Sequence, residues 1–195
     1  NDVYPTAIRL ALIFKIRGLL EAMRHLYGAL EDKSIEFRDV IKMGRTQLQD
    51  AVPMSLRQEF SAFAVMVGED IARVEETENL LREINLGATA IGTGLNAHPE
   101  YAPLAVLYLR QFTGIDVEAA VNLVEATQDS GVYVQLSGVL KRVAVKLSKT
   151  CNDLRLLSSG PRCGLNEIHL PAMAPGSTIM PGKVNPVIPE VVNQV

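Results

Sequence analysis

From Thr6 to Phe37 the apolar residues Ile8, Leu12, Ile16, Leu19, Leu20, Met23, Leu26 and Leu30 recur mostly three and four positions apart, so they line one face of a helix. A second pattern, Leu56, Phe60, Phe63, Val67, Ile71, Val74, Leu81 and Ile84, follows Pro53, which suits a helical first turn, and carries a helix to about Asn85. A third, Val132, Leu136, Leu140, Val143, Leu147, Cys151 and Leu154, reaches about Leu157. At roughly 1.5 Å per residue that helix is about 40 Å long. Shorter helices are expected over 103–112 and 117–128. Long helices with short links predict an all-α fold, a bundle of long helices, and no strand-rich region is expected.

The 131–158 segment also carries Val134, Val139 and Val145 off its main stripe. Apolar residues on several sides of a helix predict burial on several sides, more than a lone bundle of this size requires, and oligomerisation is the simplest explanation. GATAIGTGLNAHPEY, 87–101, breaks the helical pattern with glycines and a proline and reads as a connecting loop. Its GTG lacks the preceding strand and the remaining glycine spacing of a dinucleotide-binding fingerprint.

With 195 residues, 48% of them hydrophobic, the chain can bury a sizeable core as one domain or a piece of a larger one. Its formal net charge of -3, with both signs scattered, leaves no electrostatic footprint for nucleic acid or an anionic membrane. The apolar runs fall short of a membrane span and no signal peptide opens the chain, so a cytoplasmic protein is expected. Cys151 and Cys163, and His25, His98 and His169, lack the spacing of a zinc site or a disulfide framework, and no metal is expected. The first residues, Asn1-Asp2-Val3, and the last, Asn193-Gln194-Val195, both look cut, which predicts a fragment of a longer protein.

The segment PGSTIMPGKVNP, 175–186, differs in kind from the helices. Gly176 and Gly182 let backbone approach a ligand, Pro181 and Pro186 stiffen the flanks, and the residues around Ser177 can present N–H groups to an anion. Lys183 and Asn185 add a charge and an amide. Such a set can hold a carboxylate and stabilise the doubly charged form produced by proton abstraction beside it. A serine in that field can serve as the base. The competing reading makes Ser177 or Thr178 a turn or cap residue.

GSTIMPGKVNP resembles the signature GSxxMPxKxNP of the fumarase/aspartase superfamily, matching every fixed position. GRTQLQDAVPMSLRQEF at 44–60, NLGATAIGTGLN at 85–96, NDLRLLSSGPRCGLNEI at 152–168 and the opening NDVYPT resemble the same family. The resemblance covers essentially the whole chain but only the central part of a family member, so 1–195 is expected to be the central helical-bundle domain of a longer lyase without its N- and C-terminal parts. It implies a homotetramer whose active sites draw segments from three subunits, and no organic cofactor. Ser177 matches the general base, which takes a proton from the carbon beside one substrate carboxylate. Lys183 and Asn185 match residues that hold this carboxylate and stabilise its aci-carboxylate form, with Thr46 as a further ligand. Thr178, where most members have a second Ser, is expected at the other carboxylate, Met180 joins the substrate-binding set, and Asn1 matches an Asn near the leaving group.

Gln47 departs from the His that fumarases commonly have there, paired with an acidic residue that here is Glu190. Gln cannot titrate. Loss of water from malate needs a protonated leaving group, whereas the ammonium of aspartate already carries its proton. Gln47 and Leu48 therefore point to the ammonia-lyase branch, acting on L-aspartate and fumarate. Fumarate hydratase, acting on malate and fumarate, is one alternative; an assembly fragment without activity is the other.

Overall fold

The computed structural model describes residues 1–195. Six helices dominate: α1 (Val3–Glu36), α2 (Leu56–Leu80), α3 (Tyr101–Thr113), α4 (Leu123–Gln128), α5 (Gly131–Leu157) and α6 (Val187–Gln194). The predicted helical fold is present, and its three long helices fall where the periodicity puts them. Four short strands accompany them: β1 (Ile41–Thr46), β2 (Gln49–Ser55), β3 (Glu83–Ile84) and β4 (Glu118–Ala119).

The chain forms two compact units, Asn1–Tyr27 with Val67–Leu140, and Gly28–Met66 with Lys141–Val195. In the first, Ile13, Leu20, Val74, Leu81, Ile84 and Ile115 are buried and form the core. β3 and β4 pair in parallel there, Glu83 opposite Glu118. This pairing replaces the ends of two predicted helices: α2 stops at Leu80 rather than near Asn85, and the helix expected from 117 begins only at Leu123. The cause is local. Asn122 caps α4, its side-chain oxygen accepting from the N–H groups of Val124 and Glu125, and this fixes the start. Gly114, at a φ of 66°, ends α3 with its N–H on the Arg110 carbonyl.

In the second unit Phe37 packs edge to face on Phe60 and Phe60 on Phe63, with ring centroids 5.1 and 5.8 Å apart, and Leu56, Ala64 and Val143 of the same unit are also buried. Here β1 and β2 form a short antiparallel hairpin within the otherwise helical fold, a local element that the sequence did not announce. Pro53 lies in β2 opposite Met43 instead of opening α2. Between the Met43–Pro53 and Arg45–Asp50 pairs one residue, Gly44, faces two, Ala51 and Val52, a β-bulge that accommodates proline's missing donor. A Cβ on Gly44 would stand 2.9 Å from the Val52 carbonyl oxygen, so the bulge requires glycine. No helix is long and apolar enough to cross a membrane.

Candidate active site

All the sequence-predicted site residues except Asn1 belong to the second unit. The 175–186 loop is closed on itself by contacts that its glycine and asparagine make possible. A Cβ on Gly176 would stand 2.2 Å from the Lys183 carbonyl oxygen, so only glycine lets the two backbones meet. The Asn185 side-chain amide donates to the Gly176 carbonyl at 3.2 Å, locking the same closure, and Lys183 N–H donates to the Met180 carbonyl at 3.2 Å. Gly182 supplies the left-handed corner at a φ of 79°. Ser177 and Lys183 thereby stand at the neck of one loop, and Thr178, Ile179 and Met180 form its exposed tip.

The half-buried Ser177 Oγ accepts the Ile179 N–H at 3.2 Å. This is the turn contact of the competing reading, yet it also serves the chemical one, because a donated N–H favours the alkoxide over the alcohol. Lys183 is exposed and lines a cleft of about 520 Å³ together with Ser158, Asn166, His169, Pro181 and Val184. Glu190, on α6, has its carboxylate 2.7 Å from the Arg155 guanidinium and accepts from Gln194.

Thr46 and Gln47 sit at the tip of the hairpin, where Thr46 faces Gln49 across a two-residue turn. Gln47 and Leu48 both take left-handed backbone, at φ 53° and 62°, in a turn that Asn-Gly would make without strain. Each such residue costs about 1 kcal/mol. Gln47 and Leu48 line a second cleft, of about 380 Å³, with Arg45, Lys149 and Asp153.

In the first unit Asn1 donates its side-chain amide to the Ala90 carbonyl at 2.7 Å, while Asn85 donates to the Asn1 carbonyl at 3.1 Å. Asp2, which the sequence did not single out, accepts from Gly87 N–H at 3.0 Å and Thr89 N–H at 3.3 Å. Burial alone would push its carboxyl up, but these N–H groups and that of Val3 outweigh burial and hold it below the usual range. The glycine-rich 87–96 segment thus cradles the chain's own carboxylate, an anion nest that explains its left-handed residues Gly87 and Thr89. The sequence also gives no sign of the charges behind the hairpin. Lys42 and Arg45 on β1 pair with Glu167, and Lys42 also with Glu59 on α2. No group of three or more His, Cys, Asp or Glu side chains is gathered to hold a metal ion.

A lyase family model matches residues 1–195. Aspartate ammonia-lyase from Helicobacter pylori strain 26695 is 62% identical over 195 residues, which are 100% of this chain and 42% of that protein. Among solved structures, cobalt-bound fumarate lyase:delta crystallin from Brucella melitensis superposes with a TM-score of 0.97 at 61% identity, over 100% of this chain and 42% of that one. Recombinant class II fumarase from Schistosoma mansoni superposes with a TM-score of 0.95 at 37% identity, over 100% of this chain and 44% of that one. The chain therefore spans about two fifths of the length of the relatives it matches.

Proposed function

The chain belongs to the fumarase/aspartase superfamily of lyases, and from that premise we propose that it is the central part of an aspartate ammonia-lyase. The reaction is the reversible conversion of L-aspartate to fumarate and ammonia. Ser177, as the alkoxide, takes a proton from the carbon beside one carboxylate, whose electrons then collect on that carboxylate as the aci form. When they return to form the C=C bond, the C–N bond breaks and ammonia leaves with its electron pair. Lys183, Asn185 and Thr46 bind the carboxylate that gains charge, Thr178 and Met180 contact the substrate at the loop tip, and Asn1 lies toward the departing nitrogen. No organic cofactor takes part. The protein works as a cytoplasmic homotetramer in which loops from different subunits complete each site. Gln47 and Lys183 line separate clefts of the single chain, which favours a site completed by further copies.

The observation that supports this reading is the closure of Gly176 onto the Lys183 carbonyl, which sets the backbones of Ser177 and Lys183, proposed as base and carboxylate-holding cation, at one loop neck. A fumarate hydratase is the second reading, favoured by the likeness to a class II fumarase. Gln47 argues against it, since it cannot protonate a leaving hydroxide. Fumarate absorbance, followed with the full-length protein on L-aspartate and on malate, separates the two. Efficient release from aspartate and little from malate is expected, the reverse would make it a hydratase, and inertness toward both would leave an assembly role.

A further inference from the structure

Four charged side chains, two of each sign, meet behind the hairpin of the second unit. The Glu167 carboxylate lies 2.7 Å from Arg45 Nη1 through one oxygen and 2.9 Å from Lys42 Nζ through the other. Lys42 reaches on to Glu59 of α2, and its side chain is only 7% exposed; that of Glu167 is 16% exposed. Buried ion pairs of this kind are a poor source of net stability, because desolvating the charges offsets most of their attraction. Their geometric consequence is larger. One carboxylate grips β1 at two points, and the second, Arg45, adjoins Thr46.

Glu167 is itself fixed. Its N–H donates to the Leu157 carbonyl at the end of α5 at 2.9 Å, and the neighbouring Asn166 N–H donates to Ser159 at 2.9 Å. Ile168, next along, is buried. The hairpin tip is exposed and pairs only with its own partner strand, so burial of its side chains does little to fix where it stands against the rest of the unit. Nine residues beyond Glu167 the same segment reaches Gly176 and the Ser177 loop.

We infer that Glu167 is a positioning residue for the reaction: through Arg45 and Lys42 it sets where the Thr46–Gln47 turn stands relative to the segment that leads into the Ser177 loop. Burial favours the protonated acid, but hydrogen bonds from Arg45 and Lys42 outweigh it and keep Glu167 charged at neutral pH. The inference rests on the lyase reading, since it assigns Thr46 to substrate.

The test is a double-mutant cycle in the full-length protein, with kcat/KM for L-aspartate as the readout. Thr46→Val alone is expected to cost about tenfold or more, and Glu167→Gln alone a similar factor, because the turn drifts. In the Glu167→Gln background Thr46→Val should then cost under about threefold, since a misplaced Thr46 has little left to lose. Multiplying losses would make the cluster merely structural and overturn the inference. Arg45→Lys, which keeps the charge but loses the fork, provides the same cycle should Glu167→Gln not fold, and failure of both to fold would likewise overturn it. Wild-type protein inert toward both aspartate and malate would remove the functional reading first, which active wild type with multiplying losses would leave intact.

Discussion

Ser177 has two partners that matter at the scale of one residue: the Ile179 N–H on its oxygen and the Gly176–Lys183 closure beside it. If the hydroxyl is the base, Ser177→Ala in the full-length protein should lower turnover by about a thousandfold or more while leaving the fold and assembly intact. The measurement is steady-state fumarate formation with a sizing run on the same sample, and near-normal turnover would return Ser177 to its role as a turn residue. Asp2 offers a test by pH. Its folded-state pKa is lowered, so its contribution is fully present above the unfolded carboxylate range, about pH 4, and is lost as pH falls through the folded value. Asp2→Asn keeps the shape but removes the charge that Gly87 and Thr89 address, and should cost about 1.5–3 kcal/mol at neutral pH. Thermal unfolding of both proteins across pH should show the gap narrowing below about pH 4; a constant gap would mean that the carboxylate's charge is not what the nest holds.

At the scale of elements, α1, α2 and α5 were legible because their apolar residues repeat with the helical period and the tertiary structure buries the same faces: Ile16, Leu20 and Met23, then Phe60, Phe63 and Val67, then Val132, Leu136 and Val143. The hairpin was not legible. Neither IKMGRT nor QDAVPMS alternates, Pro53 reads as a helix start, and the turn is Gln-Leu where a tight hairpin normally signals itself with Asn-Gly. Its contacts outside the ladder are non-local, the pairing of β1 cations with Glu59 and Glu167, and single-residue chemistry cannot announce such a partner. The same holds for Asp2, whose acceptor role depends on backbone more than eighty positions away. The loop at 175–186 was legible in its residues but not in its closure, which rests on a carbonyl approaching Gly176. The strained turn carries its own prediction. Leu48 is exposed at a φ of 62°, so Leu48→Gly loses little packing and relieves the left-handed strain, raising stability by up to about 1 kcal/mol. Chemical denaturation would register this as a higher midpoint, and a lower one would show that the Leu48 side chain contributes more than its exposure suggests.

For the whole molecule the informative residues are apolar ones that the single chain leaves in water. On α5, Val139 is buried but Val134 is 69% and Val145 60% exposed, so the expectation of burial on several sides is met within the chain for one and left open for two. Phe14 on α1 and Val65 on α2 are more than half exposed as well. Each is on a long helix whose main stripe is already packed, and covering such surface stabilises by about 25 cal/mol per Å². A specific interface buries about 800 Å² per partner, an area that long helices can supply. The 195-residue chain should therefore self-associate at micromolar concentration, with light scattering giving a mass above 21.3 kDa. Replacing Val134 and Val145 by Lys should move that mass toward the monomer with helix content unchanged, because isolated surface substitutions alter stability by only about 0.5 kcal/mol. A monodisperse wild-type monomer would show that these valines are ordinary exposed residues, and a mass unmoved by the lysines would place the contact on other faces.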